Sequence, residues 1–235
     1  MRIAVIPARG GSKRIPRKNI RFFHGKPIIA WSIDTAMASG CFDRVIVSTD
    51  DAEIAEVARA EGAETPFVRP PELSDDQCGT VPVIAHAVQW LEARGRAPQE
   101  VCCIYATAPF LKEEDLQRGF TALQASAADY AFSVTSYAFP IQRALRLEPD
   151  QRVTMFQPEY EQTRSQDLVE AWHDAGQFYW GRAGSWQQNL PLFGPNSAPV
   201  ILPRHRVQDI DTLEDWERAE LMFEVLSRSE TATSV

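Results

Sequence analysis

The chain of 235 residues has no apolar run long enough to cross a bilayer, which excludes a helical membrane span. Its four cysteines, Cys41, Cys78, Cys102 and Cys103, form no Cys-x-x-Cys pair, so neither a disulfide framework nor a zinc site is indicated. Reduced structural thiols in a cytoplasmic protein are expected. There is no Walker A spacing and no Gly-x-Gly-x-x-Gly, so a P-loop and a dinucleotide fingerprint are both missing. Positive charge is in deficit, with a formal net charge of −8, which argues against a nucleic-acid partner. Repeats and low-complexity segments are absent. Only residues 227–235, rich in Ser, Thr and Glu, are expected to form a disordered tail. No signal peptide is expected, because an apolar strand begins at Arg2. The remainder, residues 1–235 as one unit, is sized for a single α/β domain.

Against this acidic background one stretch is basic. Residues 2–6, Arg-Ile-Ala-Val-Ile, read as a buried parallel strand that Pro7 ends. Ala8-Arg9-Gly10-Gly11-Ser12-Lys13-Arg14 follows. From Arg9 to Arg21 the chain carries Arg9, Lys13, Arg14, Arg17, Lys18 and Arg21 and no acid. Paired glycines let backbone N–H groups approach an anion. A local concentration of cations on an acidic protein points to a polyphosphate. An ordinary basic strand-to-helix loop is the bland alternative.

Further along, a helix is expected over 27–39, a strand over 44–48, a helix over 50–61 and a short third strand over 65–68. That β-α-β-α-β order implies a parallel sheet with ligands at the carboxyl ends of its strands. Ser48-Thr49-Asp50-Asp51 lies at such an end and reads best as a helix N-cap. Arg69-Pro70-Pro71 fixes an extended loop at the same edge. A helix over 81–92, a strand over 101–105, a helix over 113–126 and a strand over 130–135 continue the alternation. Residues 139–145 and 152–156 look like strands of an antiparallel excursion around the Pro149-Asp150 turn. His86 within its helix reads as packing. His173-Asp174 could be a dyad, but no nucleophile motif accompanies it. After a strand over 197–203 comes Gln208-Asp209-Ile210-Asp211-Thr212 and a final helix from Leu213 to about Leu226. Asp209 and Asp211 project to one side of an extended backbone, as two Mg²⁺ ligands would. Thr212 with Asp215 could instead form a capping box, which leaves Asp209 unexplained.

Ala8-Arg9-Gly10-Gly11-Ser12-Lys13 together with Lys18-Asn19 resembles the signature of the CMP-sialic acid synthetases, the acylneuraminate cytidylyltransferases. The resemblance extends from Arg2 to about Met222. It implies a Rossmann-like α/β nucleotidyltransferase fold with a small dimerisation excursion at about residues 138–172. It also implies CTP and an acidic nine-carbon sugar as substrates. By resemblance, Ala8, Arg9, Gly10, Gly11, Ser12, Lys13, Lys18 and Asn19 hold the triphosphate. Arg69, Asp76 and Thr80 read the nucleotide, although a loop salt bridge is a rival use of Arg69. Arg9, Lys18, Asp209 and Asp211 would be catalytic, the two aspartates as ligands of Mg²⁺. Tyr105-Ala106-Thr107-Ala108-Pro109-Phe110 departs from the sialic acid pattern and resembles the pseudaminic acid branch. So does the run from His173 to Tyr179. On that branch Tyr105, Thr107, His173, Gln177 and Tyr179 are expected at the sugar. Arg143 and Arg164, whose guanidinium forks match a carboxylate, and Gln166 join them from the excursion, which in the family reaches a neighbouring subunit's site.

The reaction so implied transfers CMP from CTP to the anomeric hydroxyl of a nine-carbon 2-keto sugar acid, pseudaminic acid first. CMP-N-acetylneuraminate or CMP-legionaminate synthesis is the alternative. Transfer to a sugar 1-phosphate and a non-catalytic nucleotide-binding regulator are more distant ones.

Overall fold

The computed structural model describes residues 1–233, with ten strands and six α-helices among them. In chain order these are β1 (Arg2–Pro7), β2 (Phe22–Phe23), β3 (Lys26–Pro27), α1 (Ile28–Ala38), β4 (Arg44–Ser48), α2 (Ala52–Ala60) and α3 (Thr80–Glu92). Next come β5 (Glu100–Ile104), α4 (Glu113–Ala125), β6 (Tyr130–Ser136), β7 (Leu145–Leu147), β8 (Val153–Met155) and β9 (Trp172–Arg182). The chain continues through α5 (Ala183–Gln187), β10 (Ser197–Ile201) and α6 (Leu213–Thr233). The tail expected from Ser227 is therefore helical as far as Thr233, and residues 234 and 235 lie outside the described residues.

Six strands form the central sheet in the order β10-β6-β9-β5-β1-β4. The strand β1 lies parallel to β4 and β5, and β6 lies parallel to β10. Only β9 runs against its neighbours, β5 and β6. The sheet is thus mixed: the parallel arrangement expected from the first strands holds for β1, β4 and β5, and β9 adds an antiparallel strand. Period-two alternation assigns the two faces of β1. Ala4 and Ile6 pack with Ile29 and Ile33 of α1, Ile54 of α2 and Leu116 of α4. Ile3 and Val5 pack on the other side with Ile84, Val88 and Leu91 of α3 and Trp186 of α5. With helices on both sides, the central strands read as continuous apolar runs.

The short third strand expected over 65–68 does not form. A single parallel bridge joins Ile46 to Glu64, and the chain then turns away, as Pro66 and Pro70 require. Arg69 still reaches the same edge, because its backbone N–H donates to Thr49 O at 2.8 Å. The helix cap read at the end of β4 is present: the Asp51 side chain accepts the Ile54 N–H at 3.0 Å.

A third apolar cluster sets the positions of the site. Ile15 from the basic loop meets Ile28 of α1, Phe110, Ile210, and Trp216 and Ala219 of α6. Ile15 and Ile210 are both fully buried. Burying each of these side chains is worth roughly 1.5–3 kcal/mol. The cluster therefore joins the loop after β1 to the segment before α6, close to 200 residues apart in the chain.

Between β6 and β9 lies an excursion. β7 and β8 form an antiparallel hairpin, and short 3-10 turns at Ile141–Arg143, Pro158–Tyr160 and Ser165–Asp167 surround it. The 139–145 segment expected as strand is a turn followed by the start of β7. Large apolar side chains stand exposed here: Phe139, Leu145, Leu147, Val153, Phe156 and Val169.

Candidate active site

The carboxyl ends of β1 and β5 open into a cleft of about 490 Å³. One wall carries Arg9, Ser12, Lys13, Arg14, Lys18 and Asn19 from the basic loop. The opposite wall carries Arg69, Asp76, Cys78, Thr80, Tyr105 and Thr107, and Asp211 closes one end. The cations of the loop are held by acids. Arg9 Nη1 donates to Asp76 Oδ1 at 2.6 Å and to Asp75 O at 2.9 Å. Lys13 Nζ pairs with the other Asp76 oxygen. Arg14 meets Asp211 at 2.9 Å, and Lys18 Nζ lies 3.4 Å from the same oxygen while donating to Ile210 O. Asn19 Nδ2 donates to Arg9 O at 2.9 Å and so fixes the backbone that carries Arg9.

The two glycines of the loop are not equivalent. The Gly10 N–H donates to Asp50 Oδ1 at 3.0 Å, so it is not turned to the cleft as the sequence suggested. Gly10 is required for closeness: a Cβ there would lie 2.7 Å from Asp51 Oδ2. Gly11 faces open space. Ala8 is buried in the core, its N–H donating to Ser48 O, and does not line the cleft. Arg17 holds Asp51 and Glu53 instead of facing the cleft. Together with the Ile54 amide, Arg17 keeps the Asp51 carboxyl at about 2, although burial works the other way.

Arg69 is 4% exposed. Its guanidinium donates to Ser48 O and, at 3.4 Å, to Leu73 O, and its Nε has no partner. Burial lowers its pKa, and Asp50 opposes that. Backbone carbonyls hold the side chain in place of the loop salt bridge that was its rival reading. Asp76 differs from expectation. An acid paired with Arg9 and Lys13 competes with a triphosphate for them, so here it is the counter-ion of the loop. Thr80 and Tyr105 sit together, hydroxyl to hydroxyl at 3.2 Å, and Thr107 is beside them in the cleft wall.

Asp209 and Asp211 flank Ile210. Since Ile210 is driven into the core, its neighbours on either side face outward, as the alternation required. The capping box also exists: Asp215 Oδ2 accepts the Thr212 N–H at 2.8 Å, and Thr212 Oγ1 accepts the Asp215 N–H at 3.2 Å. Cap and carboxylate pair therefore use different residues. Burial raises the Asp209 pKa first, Asp211 raises it further, and Lys18 offsets part of this. Two acids that repel one another beside a polyphosphate-sized cleft fit a hard cation, which takes one or two carboxylates with phosphate and water oxygens. No group of three or more potential ligands occurs among the described residues, so a metal held by the protein alone is not supported.

The sugar-side expectations divide. Tyr105 and Thr107 are in the cleft. Tyr179 is not: it is 1% exposed, its ring meets Tyr105 at 5.2 Å, and its hydroxyl donates to Asp174. Strand β9 passes through the middle of the sheet, so Phe178, Tyr179 and Trp180 pack in the core. Gln177 is buried as well, its Nε2 donating to Arg206 O at 2.6 Å. His173 packs on Tyr137 at 4.7 Å, outside the cleft lining. Arg143 donates to Thr163 O, Arg164 pairs with Asp167 at 2.7 Å, and Gln166 lies in the exposed turn between them. None of these three lines the cleft of the same chain. Pro7, Arg14, Cys78, Gly79, Val83 and Ala106 also line the cleft without having been expected as site residues. Arg14 was one cation among many, and Cys78 carries no motif.

Residues 3–192 match the cytidylyltransferase family. The chain is 44% identical over 223 residues to a pseudaminic acid cytidylyltransferase of Campylobacter jejuni, covering 95% of this chain and 96% of that one. It is 30% identical to a CMP-N,N'-diacetyllegionaminic acid synthase of Legionella pneumophila, again over 95% and 96% of the two chains. Among solved structures, CMP:2-keto-3-deoxy-manno-octonic acid synthetase complexed with CTP superposes with a TM-score of 0.70 at 18% identity, over 95% of this chain and 98% of that one. At that identity the likeness is one of fold, and it bears out the Rossmann-like nucleotidyltransferase architecture.

Proposed function

The chain belongs to the cytidylyltransferase family, and we propose that it transfers CMP from CTP to the anomeric hydroxyl of pseudaminic acid, releasing pyrophosphate. The observation that carries this reading is the convergence of Arg9, Lys13, Arg14 and Lys18 with Asp211 in one cleft. The similarity to the Campylobacter enzyme supports pseudaminic acid as the acceptor.

In this reading the triphosphate replaces Asp76 on Arg9 and Lys13. Ser12 and Lys18 complete the cradle, and Lys18 is already aimed by its bond to Ile210 O. Arg69, held from behind by Ser48 O, presents donors to the carbonyl and ring nitrogen of cytosine. The acceptor lies between Tyr105, Thr107 and the aspartate pair. Its anomeric oxygen bonds to the α-phosphorus as the bond to pyrophosphate breaks, and the hydroxyl proton is released to water. Charge grows on the departing pyrophosphate, and the fixed cations stabilise it there. Asp209 and Asp211 would hold Mg²⁺, which when bound neutralises charge on phosphate oxygens.

The excursion at about residues 138–172 completes the reading as a homodimer contact. Phe139, 82% exposed, and Leu147, 78% exposed, belong to an apolar face that water solvates poorly. Arg143, Arg164 and Gln166, remote from their own cleft, would then serve the partner's acceptor carboxylate. No described helix is long and apolar enough to cross a membrane. We place the enzyme in the cytoplasm, where its four free thiols remain reduced.

The test is pyrophosphate release with CTP and Mg²⁺, offering pseudaminic, legionaminic and N-acetylneuraminic acids in parallel. Turnover with pseudaminic acid alone is expected. Preference for another acid would overturn the acceptor assignment, and no release with any acid, despite CTP binding, would overturn the reaction.

A further inference from the structure

The mechanism above gives no role to Asp174. Asp174 lies on β9, between the cleft wall and the aspartate pair. At this point the strand departs from regular pairing. Phe132 of β6 opposes Tyr179, yet Val134 opposes Asp174, so residues 175–178 stand against Ser133 alone. The extra residues form a bulge in which Gly176 adopts a left-handed conformation with φ of 62°. Its Cβ position lies 3.7 Å from Asp209 Cγ, which puts the bulge against that carboxylate.

Asp174 fastens this bulge at both of its ends. Its Oδ1 accepts the Gly176 N–H at 2.9 Å, an Asx turn across the crest. Its Oδ2 accepts the Tyr179 hydroxyl from the strand beyond. The Tyr179 ring meets Tyr105, whose hydroxyl is 3.2 Å from Thr80 Oγ1. A series of neighbouring groups thus runs from Asp209, beside Gly176, through the bonded Gly176, Asp174 and Tyr179 to Tyr105 and Thr80. It links the metal-binding end of the cleft to the nucleotide wall.

We propose that Asp174 is a positioning residue, which through the Gly176 bulge and the Tyr179 hydroxyl holds Asp209 in register with the wall formed by Tyr105 and Thr80. This inference rests on the cytidylyltransfer reading. It reassigns the run from His173 to Tyr179: its aromatic rings are core, and its contribution to the reaction comes through the polar contacts of Asp174. Misplacing a reacting group by about 1 Å costs on the order of 100-fold in rate. Arg9 and Lys13 are bonded to Asp75 and Asp76 and not to any member of this series, so the part of CTP binding they supply should survive changes at Asp174.

The test compares wild type with Asp174→Ala, Asp174→Asn and Tyr179→Phe in pyrophosphate release, with active sites counted by CTP titration. In Asp174→Ala, kcat per CTP-binding site is expected to fall roughly 100-fold, with KM for CTP within about twofold of wild type. Asn can accept the Gly176 N–H and donate to the Tyr179 oxygen, so Asp174→Asn should recover most of the rate. Tyr179→Phe keeps the packed ring and should lose roughly tenfold, one hydrogen bond's worth of constraint. A purely structural Asp174 would reduce the number of CTP-binding sites and leave kcat per site unchanged; that result overturns the proposal. So does a Tyr179→Phe enzyme with wild-type kcat, even where Asp174→Ala fails to fold. A wild type that turns over none of the acids fails at an earlier step, removing the reaction assignment and this role with it.

Discussion

Replacing Gly10 with alanine separates what the two glycines of the basic loop do. The added Cβ would meet Asp51 Oδ2 at 2.7 Å and Asp51 Cβ at 3.0 Å, both inside ordinary contact distance. Asp51 cannot simply rotate away. It accepts from Arg17 at 2.5 Å and caps α2 through the Ile54 N–H at 3.0 Å. Relief requires either giving up that cap, worth about 0.5–2 kcal/mol, or moving the loop, with overpacking costs of about 1–3 kcal/mol. A stability loss of about 1–3 kcal/mol is expected, read as a fall in Tm of roughly 2–12 °C for a chain of this size. Because the displaced loop carries Arg9 and Lys13, CTP binding measured by calorimetry should weaken roughly tenfold, about 1.4 kcal/mol. Gly11→Ala points into open space and should leave both readouts nearly unchanged. The loss should also depend on pH in a definite sense. The Asp51 carboxyl is held at about 2 in the folded protein, below its ordinary value of 3.8, so its contribution is present above pH 4 and disappears as pH falls toward 2. The gap between wild type and Gly10→Ala should narrow over that window. Equal effects of Gly10→Ala and Gly11→Ala would refute the reasoning, because only a role of both glycines toward the ligand would make them alike.

Four further outcomes are expected. Lys18→Ala should lower kcat roughly 10²–10³-fold, the usual cost of losing one fixed donor at a developing charge, while thermal unfolding changes little. Asp209→Ala should abolish turnover and also remove CTP-dependent Mn²⁺ binding followed by electron paramagnetic resonance; unaltered Mn²⁺ binding would count against the aspartate pair as ligands. Arg69→Met keeps the buried stem and removes the donors, so KM for CTP should rise roughly 10- to 100-fold, the range of about 1.5–3 kcal/mol for a hydrogen bond to a charged group. Phe139→Asp with Leu147→Asp should shift the protein to a monomer in sedimentation velocity and, by removing the partner's Arg143 and Arg164, raise the acceptor KM; an unchanged sedimentation coefficient would rule out the excursion as the contact.

The basic loop and the aspartate pair were legible because each is a local pattern. The six cations between Arg9 and Arg21 stand out against a net charge of −8. The alternation of Asp209, Ile210 and Asp211 sends the two acids one way and the apolar residue the other. The helix cap at Asp51 and the Thr212–Asp215 box follow from side-chain reach over a few residues. Tyr179 misled, since an aromatic residue in such a run suits a ligand-covering wall and a core strand equally well. Burial depends on what packs over a residue, and α3, α4 and α5 supply that covering. The reversed direction of β9 was hidden for a related reason: a strand buried on both faces looks the same in either orientation.

By itself, then, the sequence determined which residues carry charge, which strand ends receive them, and which side of a short extended segment each faces. Only the tertiary structure decided that Ile15 and Ile210 share one buried cluster, bringing the loop after β1 against the segment before α6. It also decided that Asp76 neutralises the loop, that Arg143 and Arg164 stay outside the cleft of their own chain, and that a bulge brings Gly176 beside Asp209. Those are relations between segments far apart along the chain, set by which apolar surfaces can be buried together, and no periodicity within one segment encodes them.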